Sequence, residues 1–121
     1  MNQIDFNEEF RNRTKQNAIK IISVVSDLPY TDAVGILRKQ LIKAATSVAA
    51  NFRAVCRARS ENERFSKLCI VVEEADEVLL WIEIFVESGI IDEKKIVAEK
   101  KEAEEILKVM SAFKKTMQQK K

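Results

Sequence analysis

Apolar residues recur at intervals of three and four along most of the chain, most regularly at Phe65, Leu68, Val72, Ala75, Leu79, Ile82 and Val86. At 3.6 residues per turn this spacing puts all seven on one side of a helix, which predicts a helix over 61–88. Both ends have a local cause. Ser60 followed by Glu63 has the form of a capping box, and Gly89 supplies the left-handed residue that ends a helix. The same spacing at Val34, Leu37, Leu41, Ala44, Val48, Asn51 and Val55 predicts a helix over 32–58, with Pro29 and Thr31 marking the turn before it. Asn51 is the polar member of that seam, set to face Glu8 and Leu68 of the neighbouring helices. It is expected to fix their register by hydrogen bonding, as a structural polar core residue. Ile96, Ala103, Ile106, Met110, Phe113 and Met117, with Glu99 as the polar member, predict a helix over 93–117. Ala18, Ile21, Val25 and Leu28, preceded by Phe6 and Phe10, predict a weaker one over 5–27 that frays at its beginning. The closing "MQQKK" reads as a disordered tail.

Four helices joined by short turns predict a single all-α domain over 1–121, an antiparallel up-down-up-down four-helix bundle with helices roughly 37 Å long. Composition supports this, since 46% of the 121 residues are hydrophobic and 33% charged, while two Gly and one Pro are too few for the turns of a sheet protein. One segment does not suit a monomer. From Val78 to Val86, "VLLWIEIFV", only Glu83 is polar, so this stretch is apolar on nearly every face. Val78, Leu80, Trp81, Ile84 and Phe85 are therefore expected to form an interface with further copies of the chain.

The net charge of +2 conceals an asymmetry. Antiparallel packing gathers residues 1–15, 46–70 and 106–121 at one end, with a net charge of +8, and 16–45 and 71–105 at the other, with −6. The basic end holds Arg53, Arg57, Arg59, Arg64 and Lys67 together with Lys108, Lys114 and Lys115, the residue types that meet a phosphate backbone. Arg53, Arg57, Arg59, Arg64, Lys67, Lys114 and Lys115 are the candidate nucleic-acid contacts. The acidic end includes "EEADE", Glu73 to Glu77, for which a solvated or salt-bridged face is the plain reading. The hairpin register sets Lys43 near Asp76, and Arg38 opposite Trp81 for a cation–π contact.

Catalytic parts are missing from the sequence. It has no His, nucleophile elbow, Gly-rich phosphate loop or paired Cys motif, so no enzyme activity, cofactor or small-molecule substrate is expected. The carboxylates lack the Glu-x-x-His pairs of bundle-core di-iron sites, and no metal is expected. Cys56 and Cys69 read as buried free thiols. No apolar run approaches the ~18 residues of a membrane span and no signal peptide opens the chain, so a soluble, cytoplasmic protein without a membrane partner is expected.

"Q-L-x-x-A-A-x-S-x-x-A-N" (Gln40 to Asn51) and "E-x-D-E-x-x-x-W" (Glu74 to Trp81) strongly resemble the four-helix-bundle family of the 23S rRNA intervening-sequence proteins. The accessory variability protein of diversity-generating retroelements looks like a relative. The likeness runs from Phe10 through the fourth helix. It implies a bacterial bundle that assembles as a homopentamer without enzymatic activity, linked to RNA or to a nucleic-acid-processing protein such as a reverse transcriptase. Many members continue "A-N" with a loosely spaced Glu-Gly. Here Ala54 and Val55 stand at those positions and arginines follow, as in an Arg-rich branch. Two functions are thus expected to compete: an oligomeric, non-catalytic bundle binding RNA or another nucleic acid through its basic end, and a protein–protein interaction scaffold that binds none.

Overall fold

The computed structural model describes residues 2–119. Four long helices follow one another: α1 (Gln3–Ser26), α2 (Asp32–Cys56), α3 (Glu61–Glu87) and α4 (Val97–Gln119), with a 3-10 turn at Glu93–Lys95 leading into the last. Each packs on the next in sequence and α4 returns to α1, the up-down order that short connections impose. Lys120 and Lys121, part of the tail expected to be disordered, lie outside the described residues. Met117, at the head of that tail, is helical and buried because it closes the bundle end.

Polar side chains set the boundaries. Ser60 Oγ accepts from the Glu63 N–H at 3.1 Å, while the Glu63 carboxylate turns to Arg59 at 3.8 Å, so one half of the anticipated capping box forms. At the far end of α3, the Ile90 N–H donates to Phe85 O and the Gly89 N–H to Val86 O. This pair of bonds requires a positive φ at Gly89, which is 80°. Asn2 Oδ1 accepts from the Asp5 N–H at 2.9 Å. That cap and the packing of Phe6 hold α1 helical from Gln3, where fraying was expected. The fourth helix begins later than 93, because Asp92 Oδ1 accepts from the Lys94 N–H and tightens 93–95 into a 3-10 turn.

The core is a continuous apolar seam, and its phase corrects the sequence reading twice. In α3 the buried set is Leu68, Val71, Ala75, Val78, Ile82 and Phe85, whereas Val72, Leu79 and Val86 are half-buried on a flank. Two overlapping three-four stripes share Leu68, Ala75 and Ile82, and packing against both neighbours centres the one through Val78 and Phe85. In α2 the seam position next to Asn51 is occupied by Phe52, which is fully buried. Asn51 is half-buried, and its amide donates to Ser47 O at 2.9 Å and Ser47 Oγ at 3.0 Å, bonds within its own helix. The buried polar residues are instead Thr14 and Asn17 of α1. The Thr14 hydroxyl donates back to Phe10 O at 2.7 Å. Asn17 borders a void of about 10 Å³ at the waist, where Ala18, Ala45, Ala75 and Ala103 contribute one small side chain from each helix.

The α1–α4 contact is the looser side of the ring, and Arg13 bridges it. Its guanidinium donates to both carboxylate oxygens of Glu102, at 2.9 and 2.7 Å, and to Glu9 at 3.0 Å. The bond to Glu102, then that to Glu9, strengthens its hold on the proton against the cost of desolvation. Arg38 does not meet Trp81. It lies on the opposite flank of α2, over the Tyr30 ring and within reach of Val25 O. Trp81 Nε1 donates to Glu77 at 3.4 Å.

Candidate nucleic-acid interface

An aromatic cluster fixes the basic end. Phe6 of α1 meets Phe52 of α2 edge-on at 6.2 Å and Phe113 of α4 at 5.4 Å, and the Arg64 guanidinium of α3 lies over Phe113 at 5.7 Å. These contacts draw the start of α1, the end of α2, the start of α3 and the end of α4 to one place. The three sequence segments assigned to the basic end therefore converge.

The cations divide into two groups. Arg53, Arg57, Arg59 and Lys115 are exposed, and Lys67 and Lys114 are half-exposed. Arg59 leans on Glu63 without losing its exposure. Arg64 is different: it is paired with Glu61 at 3.4 Å, stacked on Phe113, and its Nε is buried. Arg64 thus serves packing as much as surface charge, and a ligand would find it less available than the other predicted contacts.

Two cations that the sequence reading did not single out complete the surface. Arg11 and Lys15 of α1, with Arg53 of α2, line a groove of about 310 Å³ whose remaining lining is Ala49 and Ala50. Among the described residues none of Arg11, Lys15, Arg53 and Arg57 takes part in an ion pair. Half-buried Cys56 lies beside them. Burial pushes its thiol up, and the positive charges of Arg11, Arg64 and Arg57 pull the other way, in that order. Cys69 is likewise free and half-buried. Segment 1–15 sums to zero charge, which hid Arg11 and Lys15. Their i, i+4 spacing was the available signal, because it puts both on one flank of α1.

The acidic half carries no comparable site. Desolvation, then Glu77 and Glu73, raises the Glu74 pKa, and Lys43 opposes this, so Lys43 acts on Glu74. Among the described residues no group of three or more metal-ligating side chains converges. No described helix is long and apolar enough to cross a membrane.

The expected self-association face is partly withdrawn into the core. Val78 and Phe85 are 3% and 0% exposed and are committed to the core rather than to an interface. Leu80 is 46% exposed, and Trp81 and Ile84 are half-exposed. The register that sets Lys43 against Glu74 puts Ile36 of α2, 64% exposed, at the level of Trp81. Exposed apolar side chains thus remain on both α2 and α3.

The model of the 23S rRNA-intervening sequence protein family matches residues 7–112. Among curated proteins none matches the chain. A 1.70 Å crystal structure of a protein of unknown function from the S23 ribosomal protein family of Bacteroides thetaiotaomicron superposes with a TM-score of 0.82. The match covers 90% of this chain and 97% of that one at 23% identity, a likeness of fold.

Proposed function

The chain belongs to the 23S rRNA-intervening sequence protein family, and we propose that it is a non-catalytic, oligomeric bundle that binds RNA or another nucleic acid through its basic end. The observation that carries this reading is the convergence of exposed, unpaired cations from separate helices on one end. Side chains that the fold needed for stability would be expected to find partners, as Arg13 does with Glu102 and Glu9. Arg53 and Arg57 stay in solvent at a cost in mutual repulsion, an arrangement that suits a polyanion. Such binding is governed by phosphate neutralisation, so it falls as salt rises and discriminates little among sequences. Leu80, Trp81 and Ile84, with Ile36, supply the apolar contact for self-assembly, five subunits being the number that the family resemblance implies.

Replacing Arg53, Arg57 and Arg59 together by Glu tests the reading and leaves the packed Arg64 in place. Retention on an immobilised polynucleotide at low salt should be abolished, with the helical circular dichroism of the wild type preserved. Unchanged retention rejects nucleic-acid binding through this end.

The exposure of the apolar side chains Ile36 and Leu80 favours a second reading, a scaffold that recruits protein and binds no nucleic acid. Light scattering across a salt series separates the assembly modes. Association that persists in high salt points to apolar packing, and association lost with salt points to charge docking between copies.

A further inference from the structure

We propose that the alanine-floored groove between α1 and α2 is the seat of the nucleic-acid strand, and that it takes the sugar-phosphate backbone rather than the bases. This inference rests on the reading of the basic end as a nucleic-acid site and names where on that end the strand lies. Ala49 and Ala50 present methyl groups where longer side chains would hold a ligand away, so a strand can approach the helix surfaces closely. Arg11 and Lys15 stand on the α1 side, and Arg53 stands on the α2 side with Arg57 one turn further on. Residues four apart on a helix are separated by ~6 Å along its axis. The cations are therefore staggered along the groove, Arg57 and Arg53 toward the tip of the bundle and Arg11 and Lys15 further in, so a backbone running along it meets positive charge from α2 and then from α1.

The chemistry of the lining selects the ligand. The groove is lined by two guanidinium groups, one ammonium group and two methyl groups, with no carboxylate and no aromatic ring. No aromatic ring there stacks on a base, and no side chain there accepts a hydrogen bond from a base edge, so charge and backbone shape lead the recognition. The other large groove at this end, among α1, α3 and α4, is lined by Phe6, Val109, Phe113 and Met117 and carries Glu61 beside Arg64, which makes it a poorer seat for a polyanion.

Anisotropy titrations of a labelled single-stranded poly(U) 20-mer at about 50 mM salt test the assignment with two triple variants of equal charge change. R11E/K15E/R53E reverses the groove, and R59E/K114E/K115E reverses three cations elsewhere on the end. Each phosphate of a single strand that is deprived of its cation forfeits roughly tenfold in affinity at that salt and about 0.7 in the salt slope. The groove variant should lose on the order of a few hundredfold and flatten the slope by about 2, and the other variant should lose less than about tenfold. Poly(U) and poly(dT) should bind the wild type alike. A loss in the second variant equal to or greater than that in the first overturns the groove assignment and leaves the basic-end reading standing. No loss in either overturns both. Salt-sensitive self-association abolished in the groove variant, with poly(U) binding intact, would assign the groove to the acidic half of a second copy and overturn the proposal.

Discussion

The two ends of the bundle share one apolar core and differ in what their charges are attached to. At the acidic end α3 is closed by backbone geometry: Gly89 at φ 80° and the bonds from Ile90 and Gly89 turn the chain, and Ile91 and Ile96 bury beneath it. Its carboxylates alternate with Lys94, Lys95, Lys100 and Lys101. At the basic end the closure is made by aromatic rings, Phe6, Phe52 and Phe113, and the cations lie outside them with few acids between. One end distributes charge, and the other collects it over a packed hydrophobic base. The contrast teaches that positive charge at the basic end is separable from the fold, which is what a binding surface requires.

Removing the aromatic base should break the comparison most severely. Phe52→Ala, at a position with no exposure, should cost about 3–5 kcal/mol in urea unfolding and spread the basic cations apart. A cost below about 1 kcal/mol would show that the rings do not hold this end. Gly89→Ala should cost about 1–2 kcal/mol by forcing a Cβ into the left-handed region, and should leave polynucleotide binding unchanged because it acts at the opposite end. Weakened binding in that variant would mean that the ends are coupled.

The smallest effect concerns pH. Burial and neighbouring acids raise the Glu74 pKa, so its charged form is disfavoured in the folded state. Stability is unaffected by this at pH below the ordinary carboxylate value and is lost as pH rises through the elevated folded value. Glu74→Gln should therefore raise the urea midpoint at pH 7 and lose that advantage in acid. A gain that is equal at both pH values would assign it to something other than the charge.

Helix boundaries were legible in the sequence where one residue has one mechanism, as at Ser60 and Gly89. The phase of α3 was not, because a helix apolar on several sides offers two stripes through Leu68, Ala75 and Ile82, and only packing against α2 and α4 chooses Val78 and Phe85. Asn51 was misjudged for a related reason. It adjoins the true core residue Phe52, and its amide finds Ser47 within its own turn. At the candidate site, Arg53, Arg57 and Arg59 stood out as a run. Arg11 and Lys15 did not, because Asp5, Glu8 and Glu9 cancel them in any count along the chain. In three dimensions Glu9 turns to Arg13 instead and leaves Arg11 and Lys15 on the flank beside α2.

The central claim is that unpaired cations on one end hold phosphates, and the salt dependence of binding tests it most directly. For the wild-type protein and single-stranded poly(U), the logarithm of the association constant should fall linearly with the logarithm of salt concentration. The expected slope is about −3 for the four cations Arg11, Lys15, Arg53 and Arg57, at about 0.7 per phosphate neutralised. Binding whose affinity does not change between low and high salt, or no binding at low salt, would contradict the account.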